Sequence, residues 1–383
     1  MSDGPGLVLR ALELREVAIP LVRPFRTSFG EERDKRALLA RLEATVDGRP
    51  VTGWGECVAA PEPRYSEETI AGARDAITAH LWPALAGTEP LSGPDDVRRR
   101  MAWVRGHRMA KATVEAAVLD AWLRAAGRSL ASHLGSVRER VPCGVSVGIA
   151  PSVDALVEEI AAYLERGYRR AKLKIEPGRD AEVVRAVRAA FPETPLSVDA
   201  NAAYGLEDAP LFEALDQLDL VMIEQPLDHD DLVDHAKLQA RLATPVCLDE
   251  SIRSARDAAA AIELGACRVI NIKQGRVGGI TEAKRVHDVA FEQGVPVWIG
   301  GMLETGVGRA VNLALAALPG VTMPGDTSAS DRYFRVDLTD PFVLGTDGTM
   351  PVPDGPGIGV EPHPGRLEEI TRSATVLSAT ASG

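Results

Sequence analysis

Cysteine is scarce in this sequence: there are four in 383 residues, at positions 57, 143, 247 and 267, each in its own apolar stretch. Zinc sites and redox motifs need closely spaced cysteines, so these four read as reduced core residues of a cytosolic protein. Positive charge is also in short supply. Against 55 Asp and Glu stand 43 Lys and Arg, a formal net charge of −12 that repels a polyphosphate backbone and argues against a nucleic-acid partner. No apolar run approaches the ~18 residues of a membrane span. Met1-Ser2-Asp3-Gly4 leads into no basic-then-apolar segment, so the expectation is an unprocessed, soluble, cytoplasmic chain without a membrane partner. What remains is 45% hydrophobic and long enough for one large packed domain and a smaller one.

From about Val141 onward, short β-branched runs alternate with amphipathic, alanine-rich segments. The strand candidates are Gly144–Val147, Ala171–Ile175, Leu196–Asp199, Leu220–Glu224, Val246–Asp249, Arg268–Ile272 and Val295–Ile299, with starts 22 to 27 residues apart. That is the length of one strand, one helix and two short loops, hence a repeated βα unit. Val153, Leu156, Val157, Ile160 and Leu164 form one helical stripe, with Gly167 where a left-handed cap belongs, and Ser254 with Asp257 resembles a capping box. Seven clear units and a weak eighth around Val321–Met323 fit an open doubly wound sheet or a closed barrel. The lack of a Gly-rich phosphate loop after the first strand favours the barrel. Residues 7–20 and 37–47 alternate apolar and polar and predict an antiparallel sheet with a turn at Asp47-Gly48. Helical periodicity runs from about Ser66 to Leu134, and the Gly- and Pro-rich tail after Phe334 is expected to pack back on that sheet. The expectation is an α/β chain: an α+β capping domain of residues 1–140, completed by 335–383, flanking a barrel of residues 141–334.

In a parallel barrel the reactive groups sit where strands end and βα loops begin. The second candidate strand ends Ala171-Lys172-Leu173-Lys174, the third Ser197-Val198-Asp199-Ala200-Asn201 and the fourth Met222-Ile223-Glu224-Gln225-Pro226. The fifth ends Leu248-Asp249-Glu250 and the sixth Asn271-Ile272-Lys273. Alternate residues share a strand face, so Lys172 points with Lys174, and Asn271 with Lys273. Asp199, Glu224 and Asp249 recur every 25 residues on three consecutive strands, which directs their oxygens toward one point. Unpaired, they would repel and raise one another's pKa; a hard divalent cation resolves this, and an all-oxygen set suits Mg²⁺ or Mn²⁺. The plainer alternative is a set of structural salt bridges. Lys174 and Lys273 fall on opposite sides of a closed barrel, where they would flank whatever such a cation holds. Lys172 beside Lys174 favours the unprotonated form that a base needs.

At these residues the sequence resembles the enolase superfamily, in its muconate-lactonizing subgroup. The match includes Lys172-x-Lys174, Asp199-x-Asn201, Glu224-Gln225-Pro226, Asp249-Glu250 and Asn271-x-Lys273. Pro24-Phe25-Arg26-Thr27-Ser28-Phe29-Gly30, Gly53-Trp54-Gly55-Glu56-Cys57 and the run from Gly300 to Arg309 are similar to the o-succinylbenzoate synthase and N-acylamino acid racemase family. The resemblance implies a (β/α)7β barrel under an α+β cap whose N-terminal loops shut over a small carboxylate substrate, and a homo-oligomer. It implies Asp199, Glu224 and Asp249 as ligands of Mg²⁺ (or Mn²⁺) and Lys174 and Lys273 as the acid/base pair. Lys172 and Asn201 would assist at the substrate carboxylate or metal shell, with Ser146 and Phe25 as further substrate contacts. Gly300, Gly301, Met302 and Leu303 would line the acyl pocket, and Glu250 would orient its neighbours. The implied chemistry removes the proton α to a carboxylate through an enediolate. It ends in dehydration to o-succinylbenzoate, a menaquinone-pathway step, in racemisation of an N-acylamino (N-succinylamino) acid, or in both.

Other readings stay open. Muconate cycloisomerisation shares the core residues. A mandelate-racemase-like site would need a histidine where Lys273 stands, and a dipeptide epimerase would need paired acids in place of Met323-Pro324-Gly325-Asp326-Thr327-Ser328. From another class, the chain could be a catalytically silent metal-binding barrel, or a Schiff-base aldolase, which needs one lysine and no triad of acids. Trp54, Trp103 and Trp122 are expected to pack the cap. Phe25 and Phe29, in a Gly-bearing loop with Arg26, suit either a mobile lid or simple packing.

Overall fold

The computed structural model describes residues 6–379 apart from 29, 87 and 88. Phe29 and the opening tetrapeptide lie outside the described residues. Strands β1 (Val8–Thr27), β2 (Gly30–Val46) and β3 (Arg49–Cys57) follow one another as antiparallel neighbours. The turn between β2 and β3 falls at Asp47-Gly48, with φ of 49° and 75°. Two consecutive left-handed residues match the twist of the flanking strands, which is why a short polar residue and a glycine stand there. Against this sheet lies the helix Arg108–Ala125, buried along most of its length. A Cβ on Gly53 would stand 2.1 Å from Ala117 O, and one on Gly55 2.0 Å from Thr113 O, so the two glycines let sheet and helix meet backbone to backbone. Trp54 and Trp122 are buried there. Trp103 is not: it is 64% exposed, beyond the end of the helix Pro94–Met101, with its ring edge-on to His80 at the surface.

The second layer begins with β4 (Arg140–Pro142), followed by β5 (Val145–Val147), β6 (Ala171–Lys174), β7 (Leu196–Asp199), β8 (Met222–Glu224), β9 (Val246–Leu248), β10 (Val269–Ile272) and β11 (Val297–Ile299). Strands β5 to β11 are parallel and pair strictly in chain order. Apart from Lys174 at the end of β6, their residues are buried on both faces, as a parallel sheet wrapped by helices requires. The expected helix caps form: Gly167 has φ 102°, and Ser254 Oγ accepts from Asp257 N–H at 3.2 Å. The Asp257 carboxylate answers to Arg253 N–H, one residue before the reciprocal bond of a capping box. The eighth barrel position differs from expectation. No strand forms at Val321–Met323; the ring closes at residues 325–326, where Gly144 N–H donates to Gly325 O at 2.7 Å and Asp326 N–H to Ile299 O at 3.3 Å. Pro324 has no N–H to offer a ladder, and a Cβ on Gly325 would stand 2.5 Å from Ile299 O. Strand β12 (Thr349–Pro351) then pairs with β4, and β13 (Thr371–Ser378) returns to the antiparallel sheet beside β1, giving the order β13-β1-β2-β3.

Two features join the layers. Glu56, at the end of β3, accepts from Thr305 N–H (3.0 Å), Thr305 Oγ (2.7 Å) and Gly308 N–H (2.9 Å) at the start of the helix Gly306–Ala316. Glu115 does the same for the helix Ile280–Glu292, accepting from Thr281 N–H at 2.9 Å where the preceding Gly279 has no side chain to cap with. The second feature is an arm. β1 and β2 run on beyond the sheet as a two-stranded hairpin, with Phe25 opposite Glu32 and Thr27 opposite Gly30. The segment expected as a loop is thus held by cross-strand pairing. It rests on the barrel through Ile149 N–H to Arg26 O at 2.9 Å and Arg26 to Glu176 at 3.2 Å.

Candidate active site

Lys174, Asp199 and Glu224 end β6, β7 and β8 side by side in register. Asp249 follows β9, and Lys273 follows β10 at the start of the helical turn Gln274–Val277. Each group is there because parallel strands present their C-terminal residues to one face. The carboxylates do not converge on one point. Among the described residues, the only acid and histidine group with ligand atoms mutually within 4.8 Å is Asp228, His229 and Asp230, on an exposed loop. Asp199 and Glu224 share the Lys172 ammonium at 3.0 and 2.8 Å, and Asp199 also takes Lys174 at 2.6 Å. Asp249 is held by Lys273 at 2.7 Å and by Arg276. In a low-dielectric interior each carboxylate takes the cation within reach.

The surroundings divide the lysines. Burial pushes the Lys174 ammonium below its usual value in spite of Asp199 beside it. Burial acts on Lys273 in the same direction, but Tyr65, Glu250, Glu224 and Asp199 outweigh it and hold that ammonium above the usual range. Lys172 is likewise raised: burial opposes the charge, yet Asp199, Asp326 and Glu224 all favour it. Glu224 is pushed up by burial and by its like-charged neighbour Asp199. Asp199, although buried, is held well below the usual carboxylate range by Lys172 and Lys174.

Above these groups opens a cavity of about 420 Å³. Lys172, Lys174, Asn201, Lys273, Ser146, Phe25, Gly301, Met302 and Leu303 all line it, so nine of the residues singled out from sequence meet in one space. Asp199, Glu224 and Asp249 lie fully buried outside this lining. Glu250 accepts from Asn201 Nδ2 at 3.1 Å. Gly300 is not part of the wall; it lies against Lys273 and Asn271, with no room for a Cβ. Four participants escaped the sequence reading. Tyr65 donates to Asp249 Oδ1 (3.1 Å) and accepts from Lys273 (3.2 Å), but it comes from a cap segment outside the βα repeat. Arg276 pairs with Asp249 one helical turn past the sixth strand end. Asp326 binds Lys172 (2.7 Å) and Arg170 (2.8 Å) at the irregular closing position. Lys35 reaches the wall from β2. Asp326 alone carried a signal, as the acid at the eighth barrel position.

Two family models match the chain: "Mandelate racemase / muconate lactonizing enzyme, N-terminal domain" over residues 10–135 and "Enolase C-terminal domain-like" over 155–366. The chain belongs to the enolase superfamily. Among relatives of this enzyme, an N-succinylamino acid racemase of Amycolatopsis is 54% identical over 95% of this chain and 97% of its own. An o-succinylbenzoate synthase of Geobacillus kaustophilus is 48% identical over 96% and 97%. A solved enolase-superfamily structure from Listeria innocua superposes with a TM-score of 0.92 at 41% identity, covering 98% of this chain and 100% of that one. The family and the capped-barrel fold expected from the strand-end motifs are borne out. No helix among the described residues is long and apolar enough to cross a membrane.

Proposed function

We propose that this enzyme removes the proton α to a carboxylate through an enediolate, and that it acts as an o-succinylbenzoate synthase, an N-succinylamino acid racemase, or both. The observation that carries the reading is the pair Lys174 and Lys273, both facing one cavity, on strands separated by the three that bear Asp199, Glu224 and Asp249. Near full-length relatives bearing each of the two names support it.

The donor set fits a divalent cation. Asp199, Glu224 and Asp249 are buried, all-oxygen donors at the ends of neighbouring strands, and Glu250 Oε2 is a buried oxygen without a partner. These residues would hold Mg²⁺ or Mn²⁺. Bound there, the ion would act as a Lewis acid toward the substrate carboxylate. The protein's own charges are close to balance: Asp199, Glu224, Asp249, Glu250 and Asp326 against Arg170, Lys172, Lys174, Lys273 and Arg276. A dication on that background leaves a net positive site, which suits a doubly charged enediolate.

The remaining steps belong to side chains. Lys174 Nζ, whose ammonium is disfavoured by burial, takes the α-proton on one face. Lys273 Nζ stands on the other face. For an N-succinylamino acid it returns a proton there and inverts the centre. For a substrate with a hydroxyl β to the enediolate, one lysine takes the proton and hands it to the departing hydroxyl, while the other ammonium stabilises charge. Lys172 and Asn201 orient the carboxylate, and the arm bearing Phe25 excludes water.

The test has three parts. Side-by-side kcat/KM values for the cyclohexadiene carboxylate precursor of o-succinylbenzoate and for N-succinylamino acids decide between the two reactions. Chelation should abolish either activity and Mg²⁺ or Mn²⁺ restore it. Lys174→Ala and Lys273→Ala should each abolish racemisation, with one retaining exchange of the α-proton in deuterated solvent. Wild-type exchange in both variants would remove the two-base assignment.

A further inference from the structure

Among the described residues, the buried lysines that line the cavity are matched to carboxylates with one exception. Lys172, Lys174 and Lys273 each have an acidic partner in direct contact. Lys35 is 4% exposed and lines the same cavity, yet its ammonium donates to a single acceptor, Met302 O at 2.8 Å. Among the described residues no carboxylate oxygen lies within 4.0 Å of it. An ammonium carries three donors, so two remain unspent where water is scarce, an arrangement that costs free energy unless a ligand completes it. The neighbouring acids are committed elsewhere. Glu56, whose charge Lys35 offsets, gives its oxygens to Thr305 and Gly308, and Glu304 Oε2 accepts from Met302 N–H at 2.9 Å.

Lys35 also stands at a suitable remove from the chemistry. Gly300 abuts Lys273, and Met302 is two residues further along, at most ~7 Å of chain. Phe25, Met302 and Leu303 give the cavity apolar wall. We propose that Lys35 is the recognition group for a second carboxylate at the far end of the substrate's acyl arm, so that the pocket selects succinyl compounds over N-acyl groups in general. The inference rests on the reaction proposed above and deepens it. Both names carried by the relatives contain a succinyl group, and one distal cation would serve both substrates.

The test compares N-succinyl and N-butanoyl derivatives of one amino acid, equal in chain length and differing in the terminal charge. The wild-type enzyme should prefer the succinyl compound roughly 10- to 100-fold in kcat/KM, carried mainly by KM, the worth of a charge-assisted hydrogen bond. Lys35→Gln keeps a donor for Met302 O and removes the charge; the preference should collapse toward one, and Lys35→Arg should restore part of it. A wild-type enzyme indifferent to the terminal carboxylate overturns the proposal without any variant. So does a Lys35→Gln enzyme that loses both activities in equal proportion, which would make Lys35 only a clamp on Met302. If neither compound exchanges its α-proton in the wild type, the reaction assignment fails instead. Calorimetric affinities of the two compounds then decide the Lys35 question by the same ratio.

Discussion

A Cβ at Gly300 would lie 2.3 Å from Asn271 Oδ1 and 2.8 Å from Lys273 Cε, and neither neighbour is free to yield. Asn271 Nδ2 donates to Glu224 at 2.8 Å, and Lys273 is tied to Asp249 and Tyr65. Gly300→Ala must therefore push the lysine aside, and a misplacement of about 1 Å is worth on the order of 10²-fold in rate. We expect kcat to fall by about that factor with the secondary structure intact by circular dichroism; an unchanged kcat would show that Lys273 has slack. The position illustrates how unevenly the site was written in the sequence. Lys174, Asp199, Glu224, Asp249 and Lys273 were legible because the βα period places strand-end residues on one face. Gly300 read as a wall residue because its real role, making room, depends on a neighbour 27 residues earlier. Tyr65 and Lys35 were illegible because they reach the mouth from a sheet and loop that share no period with the barrel.

The elements are joined by buried carboxylates at helix N-termini, Glu56 beside the local Thr305 cap and Glu115 in place of any local side-chain cap. Glu115 is the cleanest case: fully buried, it serves a helix whose own preceding residue is glycine, and burial pushes its carboxyl up to about 7. A carboxyl whose folded pKa lies above its unfolded value favours the fold most when protonated. Its contribution is complete below pH ~4.5 and lost as pH rises through ~7. Glu115→Gln removes the titration but keeps a carbonyl for Thr281. Relative to wild type, the variant should gain stability between pH 5 and 8, on the order of 2–3 kcal/mol from the ~1.4 kcal/mol per pKa unit relation. Parallel melting curves at both ends of that range would reveal a flat difference if Glu115 does not titrate there. None of this was visible in the sequence, since a cap supplied across the fold has no local spacing. The barrel strands themselves were visible: Leu196–Asp199 keeps its expected bounds, and the structure trims the others by a residue or two at one end, as from Leu220–Glu224 to Met222–Glu224.

At the scale of the whole molecule, catalysis as proposed needs the arm seated on the barrel. The seat is backbone against backbone: a Cβ on Gly148 would lie 2.9 Å from Arg26 O and 3.1 Å from Arg26 N. Gly148→Ala should lift the arm and raise KM for the carboxylate substrate roughly tenfold, the worth of about one hydrogen bond. Unaltered KM in a correctly folded variant would mean that the arm is no part of the binding surface. The antiparallel sheet that bears the arm includes β13, and Ala379 N–H donates to Arg10 O at 2.8 Å. Translation proceeds from β1 through the entire barrel before β13 leaves the ribosome. Throughout that interval the edge of β1 over Ala11–Val17 has no partner, and an unpaired strand edge invites pairing with another chain. The nascent protein therefore stays open to edge pairing until β13 emerges, and chaperone demand should be set by the arrival of that strand.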